Sequence, residues 1–176
     1  YIGLPTAALL SNRGYQVYGV DVVQNVVDTI NKGQIHIVEP ELDIYVKAAV
    51  NTRRLVADTK PKEADVFIIA VPTPFHEGYI PNIDYVISAT KSIVPYVREG
   101  NVVILESTSP VGTTEKIEEI LRTSGIDTTK IYIAHCPERV LPGKIMKELV
   151  ENDRIVGGLT PEATKVVAEF YREFVQ

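Results

Sequence analysis

The chain begins with YIGLPTAALLSNRGYQVYGVD (residues 1–21), and the order of elements in this stretch decides the fold. A turn at Gly3 leads into a helix predicted over Leu4–Arg13, and a strand predicted over Gln16–Val20 ends at Asp21. This order forms the second half of a dinucleotide-binding βαβ unit, in which Gly3 is the last glycine of G-x-G-x-x-G. We therefore expect residues that form a first strand to precede Tyr1 in the natural protein.

The two ends of this unit predict a nucleotide site. The helix N-terminus offers backbone N–H groups to a pyrophosphate, and Asp21 can accept hydrogen bonds from both hydroxyls of an adenosine ribose. A carboxylate at this position repels a 2′-phosphate, so the pattern favours NAD over NADP. The alternatives are an ordinary loop glycine at Gly3 and a turn-forming aspartate at Asp21.

The rest of the chain alternates between helix-like and strand-like apolar periodicity. This alternation predicts an α/β fold with a doubly wound, parallel, Rossmann-like sheet, its first strand outside the sequence, and a single NAD-binding domain over residues 1–176. The further predicted helices are 22–32, 39–51, 84–97, 113–124 and 161–174, and the further predicted strands are 55–57, 65–71, 101–105, 131–134 and 154–156.

Composition excludes several classes of protein. The 176 residues carry a net charge of −5 without a basic cluster, so we expect no nucleic-acid partner. The longest apolar run, residues 66–71, is too short to cross a bilayer, so we expect no membrane association. Lone Cys136 cannot form an internal disulfide, which favours the cytoplasm. The three histidines are too far apart to suggest a metal site.

Ligands of open parallel sheets bind beyond the carboxyl ends of the strands, so the residues there are the candidate site. We expect Asp21 and the three segments listed next to converge on one edge of the sheet. They are VPTPF (residues 71–75), ESTSPVGT (residues 106–113) and HCPERVLPG (residues 135–143).

Each of the last two segments has a structural alternative. We expect Thr113 or Thr114 to cap the following helix and Thr108, nearer the strand end, to contact a ligand. Glu138 and Arg139 lie in a proline-flanked loop suited to binding an anionic ligand. The alternative is that the two side chains form a surface ion pair that contributes little to stability.

Together these segments resemble the UDP-glucose/GDP-mannose dehydrogenase family over nearly the whole chain. The motifs that carry the resemblance are YIGLPTA (1–7), IHIVEP (35–40), VPTPF (71–75), LESTSPVGT (105–113) and CPERVLPG (136–143). Relatives that act on UDP-glucose carry Pro-Glu-Phe-Leu and a second acid in the last motif. The residues Arg139, Val140 and Leu141 differ from that pattern and favour 2-acetamido sugars.

The resemblance implies an activity: NAD-dependent oxidation of a sugar C6 alcohol to a carboxylate, in two hydride transfers through a cysteine thioester. The implied substrate is a UDP-N-acetyl-hexosamine, with UDP-N-acetyl-D-mannosamine expected, and the implied full-length protein is a homodimer.

The resemblance also implies roles for the residues at matching positions. Tyr1, Ile2 and Gly3 form the turn through which the pyrophosphate is contacted, and Asp21 contacts the adenosine ribose. Thr73 faces the nicotinamide-side ribose, and Thr108 lies beside the nicotinamide and the reacting oxygen. Glu138 orients or activates the water that cleaves the thioester, a general-base task. Arg139 and Val140 line the UDP-sugar site together with Glu138.

The family's catalytic cysteine and lysine lie in downstream segments that these 176 residues do not contain. We expect Cys136 to be a buried, inert thiol, because it lacks the glycines expected around the reactive one. The 176 residues alone are therefore expected to bind NAD without turnover. The alternatives are a UDP-glucose or UDP-N-acetylglucosamine dehydrogenase, a β-hydroxyacid or 6-phosphogluconate type dehydrogenase, and a non-catalytic NAD-sensing module.

Overall fold

A computed structural model describes residues 1–175, which divide into two compact units. Unit 1 comprises residues 1–61, 139–153 and the described end of the chain from residue 174. Unit 2 comprises residues 62–138 and 154–173. The chain passes between the units four times, so each of them is assembled from segments that are distant in sequence.

The described residues contain α-helices and short strands that alternate along most of the chain. The helices are α1 (Gly3–Asn12), α2 (Gln24–Asn31), α3 (Leu42–Asn51), α4 (Asp84–Ile93), α5 (Thr113–Thr123), α6 (Ile145–Glu151) and α7 (Pro161–Arg172). The strands are β1 (Val17–Val20), β2 (Leu55–Asp58), β3 (Val66–Ile69), β4 (Val102–Leu105), β5 (Tyr132–His135) and β6 (Gly157–Gly158). Within residues 1–175, no helix has the length and apolar character that crossing a bilayer requires.

Unit 1 is a two-stranded parallel sheet covered by helices. Strands β1 and β2 pair in register from Val17 opposite Leu55 to Val20 opposite Asp58. Helix α1 packs on β1 and α3, α2 packs on β2, and α6 packs on α1. The Asn31 side chain extends the edge of β2, because its amide group exchanges two 2.9 Å hydrogen bonds with the backbone of Ala57. Through this contact the end of α2 is joined to the sheet.

Unit 2 is a four-stranded sheet in the order β3-β4-β5-β6, covered on both faces. Strands β3, β4 and β5 are parallel, and all four residues of β4 are buried, as expected of a strand enclosed on both sides. Helices α4 and α5 pack on one face and α7 on the other. The prediction of a doubly wound α/β fold is therefore confirmed, with antiparallel β6 as an added edge strand.

The predicted last strand over residues 154–156 is wrong. The strand that pairs with β5 is β6, where Gly158 lies opposite Ala134. A Cβ atom at Gly158 would lie 2.4 Å from the backbone nitrogen of Thr164, so the close approach of β6 to α7 requires glycine. Arg154 lies outside the ladder, and its side chain turns into the interior of unit 2.

Helix boundaries differ from the predictions where proline and glycine act. The helix predicted to run to residue 97 ends as α4 at Ile93 and continues as a 3₁₀ turn, because Pro95 has no N–H for the helical ladder. The expected cap by Thr113 or Thr114 is wrong. Gly112, at φ +92°, takes the cap position of α5, and the Thr113 hydroxyl donates to the carbonyl oxygen of Pro110 at 2.7 Å. Helix α6 was not predicted.

Candidate functional site

In unit 1 the start of α1 is open to an anion. Its N-cap residue is Ile2, which has no side chain that could cap the helix, and Pro5 has no N–H. The first N–H groups of a helix have no acceptor within the helix, so those of Gly3 and Leu4 are available to oxygen atoms of a ligand. The helix dipole adds positive potential at the same point. This turn therefore has the donors that a pyrophosphate requires.

Asp21 lies directly after the carboxyl end of β1, as predicted. Its backbone N–H donates to Asp58 at 3.2 Å, which extends the pairing with β2, and its Oδ1 accepts from the N–H of Val23 at 2.9 Å. The carboxylate is thereby fixed at the strand end while the residue stays partly accessible. Because α1 packs on β1 after a short connection, the helix start and the strand end lie at the same edge of unit 1.

Two residues of the IHIVEP motif lie at this edge of unit 1. Desolvation lowers the pKa of His36, and the negative charge of the Asp21 carboxylate opposes this shift. Three residues later, the Glu39 carboxylate accepts a 3.4 Å hydrogen bond from the Tyr1 hydroxyl. Glu39 therefore connects this motif to the turn at Tyr1.

The loop of residues 139–144 is held in unit 1 by several hydrogen bonds. The guanidinium of Arg139 donates to the carbonyl oxygen of Asp153 at 2.8 Å, and Asn152 donates to the carbonyl oxygen of Arg139 at 2.8 Å. The N–H of Leu141 donates to Glu148 at 2.7 Å. The exposed Arg139 is thus oriented by its own loop, and Val140 is half-buried beside it.

In unit 2 the ends of β3 and β4 are joined by hydroxyl groups. The Thr73 hydroxyl donates to the carbonyl oxygen of Thr108 at 2.6 Å. The buried Ser107 hydroxyl donates to the carbonyl oxygen of Val71 at 2.7 Å and accepts from its N–H at 2.8 Å. This exchange ends the β3 ladder before Val71, and it leaves the Thr108 side chain exposed at the same edge.

Glu138, after β5, forms a buried ion pair with Arg154. The two side chains are 3% and 6% exposed, and Arg154 Nη1 donates to Glu138 Oε2. The arginine also lies over the ring of Tyr171 in α7, 5.2 Å from its centroid. The surface pair of Glu138 with Arg139 that the sequence left open is therefore replaced by a pair with a residue 16 positions away.

Three more buried polar groups surround this pair. Tyr171 donates to Glu106 Oε1 at 3.4 Å, and Glu106 is 2% exposed at the end of β4. Burial, together with the Glu106 carboxylate, raises the pKa of Tyr171 well above its usual range. Cys136 is hydrogen-bonded to Tyr171 and is fully buried, as predicted. We call Glu106, Cys136, Glu138, Arg154 and Tyr171 the buried polar cluster.

We expect Cys136 to resist alkylation in the folded protein. Burial raises the pKa of its thiol from 9.0 to about 11, so at pH 8 the thiolate fraction falls roughly a hundredfold. Iodoacetamide labelling followed by mass spectrometry should be at least that much slower in native buffer than in denaturant. Because the shift favours the protonated thiol, its contribution to stability is complete below pH 9.0 and is lost as the pH rises through 11. Equal labelling rates in the two conditions would contradict this environment.

Sequence reasoning missed the residues that hold the predicted ones in place. Arg154 was assigned to a strand, and Glu106 and Ser107 were taken only as part of a loop motif. Glu39 was quoted without a role, and Tyr171 lay within a predicted helix without a role. An arginine inside an otherwise apolar predicted strand was the available signal, since a buried cation requires an anion. The predicted contacts of Asp21, Thr73, Thr108, Glu138, Arg139 and Val140 with ligands stay predictions.

The edges of the two units define a class of protein. Unit 1 combines an uncapped helix N-terminus with an acid at a strand end, which is the arrangement of Rossmann-type dinucleotide-binding domains. Unit 2 places hydroxyl groups and an ion-paired carboxylate after parallel strands. The residues present fit a bound dinucleotide, because donors for phosphate and an acceptor for ribose lie at one edge of unit 1.

The comparisons give the family. Residues 1–175 match the NAD binding domain of the UDP-glucose/GDP-mannose dehydrogenase family, so the chain belongs to that family and NAD is its cofactor. The resemblance found in the sequence is thereby confirmed.

Individual relatives agree with this assignment. UDP-N-acetyl-D-mannosamine dehydrogenase of Campylobacter jejuni is 54% identical over 100% of this chain and 46% of its own length. NDP-N-acetyl-D-galactosaminuronic acid dehydrogenase of Ralstonia nicotianae is 49% identical over 100% of this chain and 44% of its own. The native structure of UDP-N-acetyl-mannosamine dehydrogenase from Staphylococcus aureus matches with a TM-score of 0.95 and 41% identity, covering 100% of this chain and 44% of that one. The chain thus spans about half the length of its relatives.

Proposed function

We propose that the full-length protein oxidises the C6 alcohol of a UDP-N-acetyl-hexosamine to the uronate, with UDP-N-acetyl-D-mannosamine as the substrate. The observation that carries the proposal is the match over the entire chain to relatives at 54% and 49% identity that are both named for N-acetylated amino sugars. Of these, the relative with the higher identity is named for the mannosamine derivative.

The edge of unit 1 supports the cofactor half of the proposal. NAD supplies the acceptor for each hydride removed from the sugar carbon. The turn at Tyr1, Ile2 and Gly3 binds its pyrophosphate through backbone donors, and Asp21 binds its adenosine ribose. Thr73 and Thr108, joined by their own hydrogen bond, serve the nicotinamide side in unit 2.

The buried polar cluster supports the hydrolytic half. Thioester cleavage requires a base that takes a proton from water, and we assign this role to Glu138. Arg154 supplies the positive charge that a carboxylate shielded from solvent requires, and it holds one carboxylate oxygen in a defined position. Arg139 and Val140 line the substrate site, where the loop geometry presents the arginine to solvent. The cysteine that forms the thioester belongs to the full-length protein outside these residues.

Activity of the full-length protein tests this proposal directly. NADH formation is measured with UDP-N-acetylmannosamine, UDP-N-acetylgalactosamine, UDP-N-acetylglucosamine and UDP-glucose under identical conditions. We expect two NADH per sugar and the highest kcat/KM with UDP-N-acetylmannosamine. The relative named for N-acetyl-D-galactosaminuronic acid makes the galactosamine sugar the main competitor. Tight NAD binding without oxidation of any of the four sugars would favour an NAD-sensing module instead.

Replacing Asp21 by asparagine is expected to weaken NAD binding and to reduce the preference for NAD over NADP. The substitution removes one charged acceptor for the ribose hydroxyls, which raises the Kd for NAD by roughly tenfold. It also removes the repulsion of a 2′-phosphate, so NADP binding weakens less. Isothermal titration with both nucleotides measures the ratio. Asp28→Asn, at an exposed position of α2, is the control and should leave both affinities unchanged. An unchanged NAD/NADP ratio in Asp21→Asn would remove Asp21 from the ribose site.

The compartment and assembly are part of the same proposal. A single buried thiol suits a reducing compartment, so we propose that the enzyme works in the cytoplasm. We also propose that the full-length protein is a homodimer, which sedimentation analysis of the complete chain would test.

A further inference from the structure

We propose that Glu39 is a positioning residue that fastens the 139–144 loop to the turn that opens α1, so that the substrate loop and the pyrophosphate turn are held as one piece. The proposal concerns unit 1 alone and rests on the proposed function, which gives these two segments their ligands. Glu39 itself contacts neither ligand in this scheme, since its carboxylate accepts two backbone N–H groups and the Tyr1 hydroxyl.

The contacts of the carboxylate carry the argument. Glu39 is 4% exposed, so it requires internal partners. Its Oε1 accepts the N–H of Ile145 at 2.8 Å, and its Oε2 accepts the N–H of Gly143 at 2.9 Å. Oε2 also accepts the Tyr1 hydroxyl at 3.4 Å. One buried side chain therefore joins the chain start to a segment more than 100 residues away.

The backbone at the far end of this connection is unusual. Gly143 has a φ of +89°, a conformation that residues with a side chain rarely adopt. Its N–H and that of Ile145, the first residue of α6, are the two donors directed at Glu39. Glu148 holds the preceding part of the loop through Leu141, so the loop is fixed from both sides. Glu39 therefore fixes the position of the C-terminal end of the loop that carries Arg139 and Val140.

The partner at the near end is the cofactor turn. Tyr1 precedes Ile2 and Gly3, whose backbone groups are assigned to the pyrophosphate. Desolvation and the neighbouring Glu39 carboxylate raise the pKa of the Tyr1 phenol, in agreement with a hydroxyl that donates to a carboxylate. A change in the position of Glu39 is therefore transmitted to both binding segments, and the affinities for NAD and sugar become dependent on the same side chain.

Hydrogen exchange of the full-length protein tests the connection between Glu39 and the 139–144 loop without requiring catalytic turnover. In Glu39→Gln one carboxylate oxygen becomes an amide nitrogen, which cannot accept an N–H, so either Gly143 or Ile145 loses its partner. We expect peptides covering residues 139–147 to exchange roughly tenfold faster in this variant. The control is Glu41→Gln, which changes an exposed carboxylate two positions away and should leave exchange unchanged.

Kinetics provide the second readout. In Glu39→Gln we expect the KM for the nucleotide sugar to rise roughly tenfold and the Kd for NAD roughly threefold, while kcat stays within about threefold. A residue that merely stabilised the fold would lower the active fraction and leave both constants unchanged. Tyr1→Phe should raise the Kd for NAD about twofold in the wild-type background and not at all in Glu39→Gln, because the contact is already lost there.

The outcomes separate this inference from the proposed function. If the wild type oxidises none of the nucleotide sugars, the proposed function fails. Faster exchange of residues 139–147 in Glu39→Gln would still support the connection to the loop, and the affinity for NAD would still test the connection to Tyr1. Unchanged exchange in Glu39→Gln, or a fully additive effect of Tyr1→Phe, overturns the inference. If Glu39→Gln does not fold, Tyr1→Phe alone decides it, and an unchanged affinity for NAD counts against it.

Discussion

Replacing Arg154 by methionine is expected to lower the free energy of unfolding by about 3–5 kcal/mol, because it leaves buried carboxylates without their cation. Glu138 is 3% exposed and Glu106 is 2% exposed, so neither can regain the hydration that it loses. Methionine preserves much of the packing over the Tyr171 ring but removes the charge. Urea denaturation followed by circular dichroism measures the loss.

Two further variants test whether the loss of stability comes from the buried ion pair. Arg98→Met breaks an ion pair with Glu63 in which the side chains are 56% and 74% exposed, so it should cost about 1 kcal/mol or less. The double variant Arg154→Met, Glu138→Gln removes both charges of the buried pair and should be more stable than Arg154→Met alone. A loss in Arg154→Met no larger than in Arg98→Met would show that the buried pair contributes nothing.

Replacing Glu138 by glutamine in the full-length enzyme is expected to slow thioester hydrolysis by roughly 10²–10⁴-fold, the usual contribution of a general base. Glutamine has nearly the same shape but cannot take a proton from water. The two hydride transfers precede hydrolysis and should be much less affected. Rapid mixing with NAD and sugar should therefore show a burst of two NADH per active site, followed by slow turnover.

The role of Glu138 is identified by whether the substitution slows only thioester hydrolysis or also slows the two hydride transfers. Because Glu138→Gln also leaves Arg154 without its anion, some loss of stability is expected in any case. A structural role would slow hydride transfer and hydrolysis equally and abolish the burst. Glu151→Gln is the matched control, since it alters an exposed pair with Lys147 on α6 and should leave both phases unchanged.

The elements that were predicted well are those whose information is local. The apolar run around β3 and the apolar β4 identify strands enclosed in a sheet, and Thr160 with Pro161 identifies the start of α7, where the threonine accepts the N–H of Ala163 at 3.1 Å. The missed β6 is a two-residue strand of glycines, which have no strand propensity. Its position depends on contact with α7, and no local pattern encodes that contact.

In the candidate site, too, the sequence predicted the positions of residues along the chain but not their partners in space. That Asp21, Thr108 and Glu138 lie after strands followed from periodicity alone, and within each unit the structure places them at those positions. The partner of Glu138 did not follow, since Arg139 is its neighbour in sequence and Arg154 its neighbour in space. The arrangement of Asp21 relative to Thr108 and Glu138 along one rim stays a prediction.

The amino-acid sequence by itself determined the α/β fold, the family, the cofactor and the burial of Cys136, because apolar periodicity, glycine positions and short motifs are properties of contiguous residues. Only the tertiary structure decided which buried charges meet. Arg154 with Glu138, and Glu39 with the backbone of Gly143 and Ile145, are joined by the path of the chain. A carboxylate withdrawn from water must find its donors wherever that path brings them, and sequence separation carries no record of the choice.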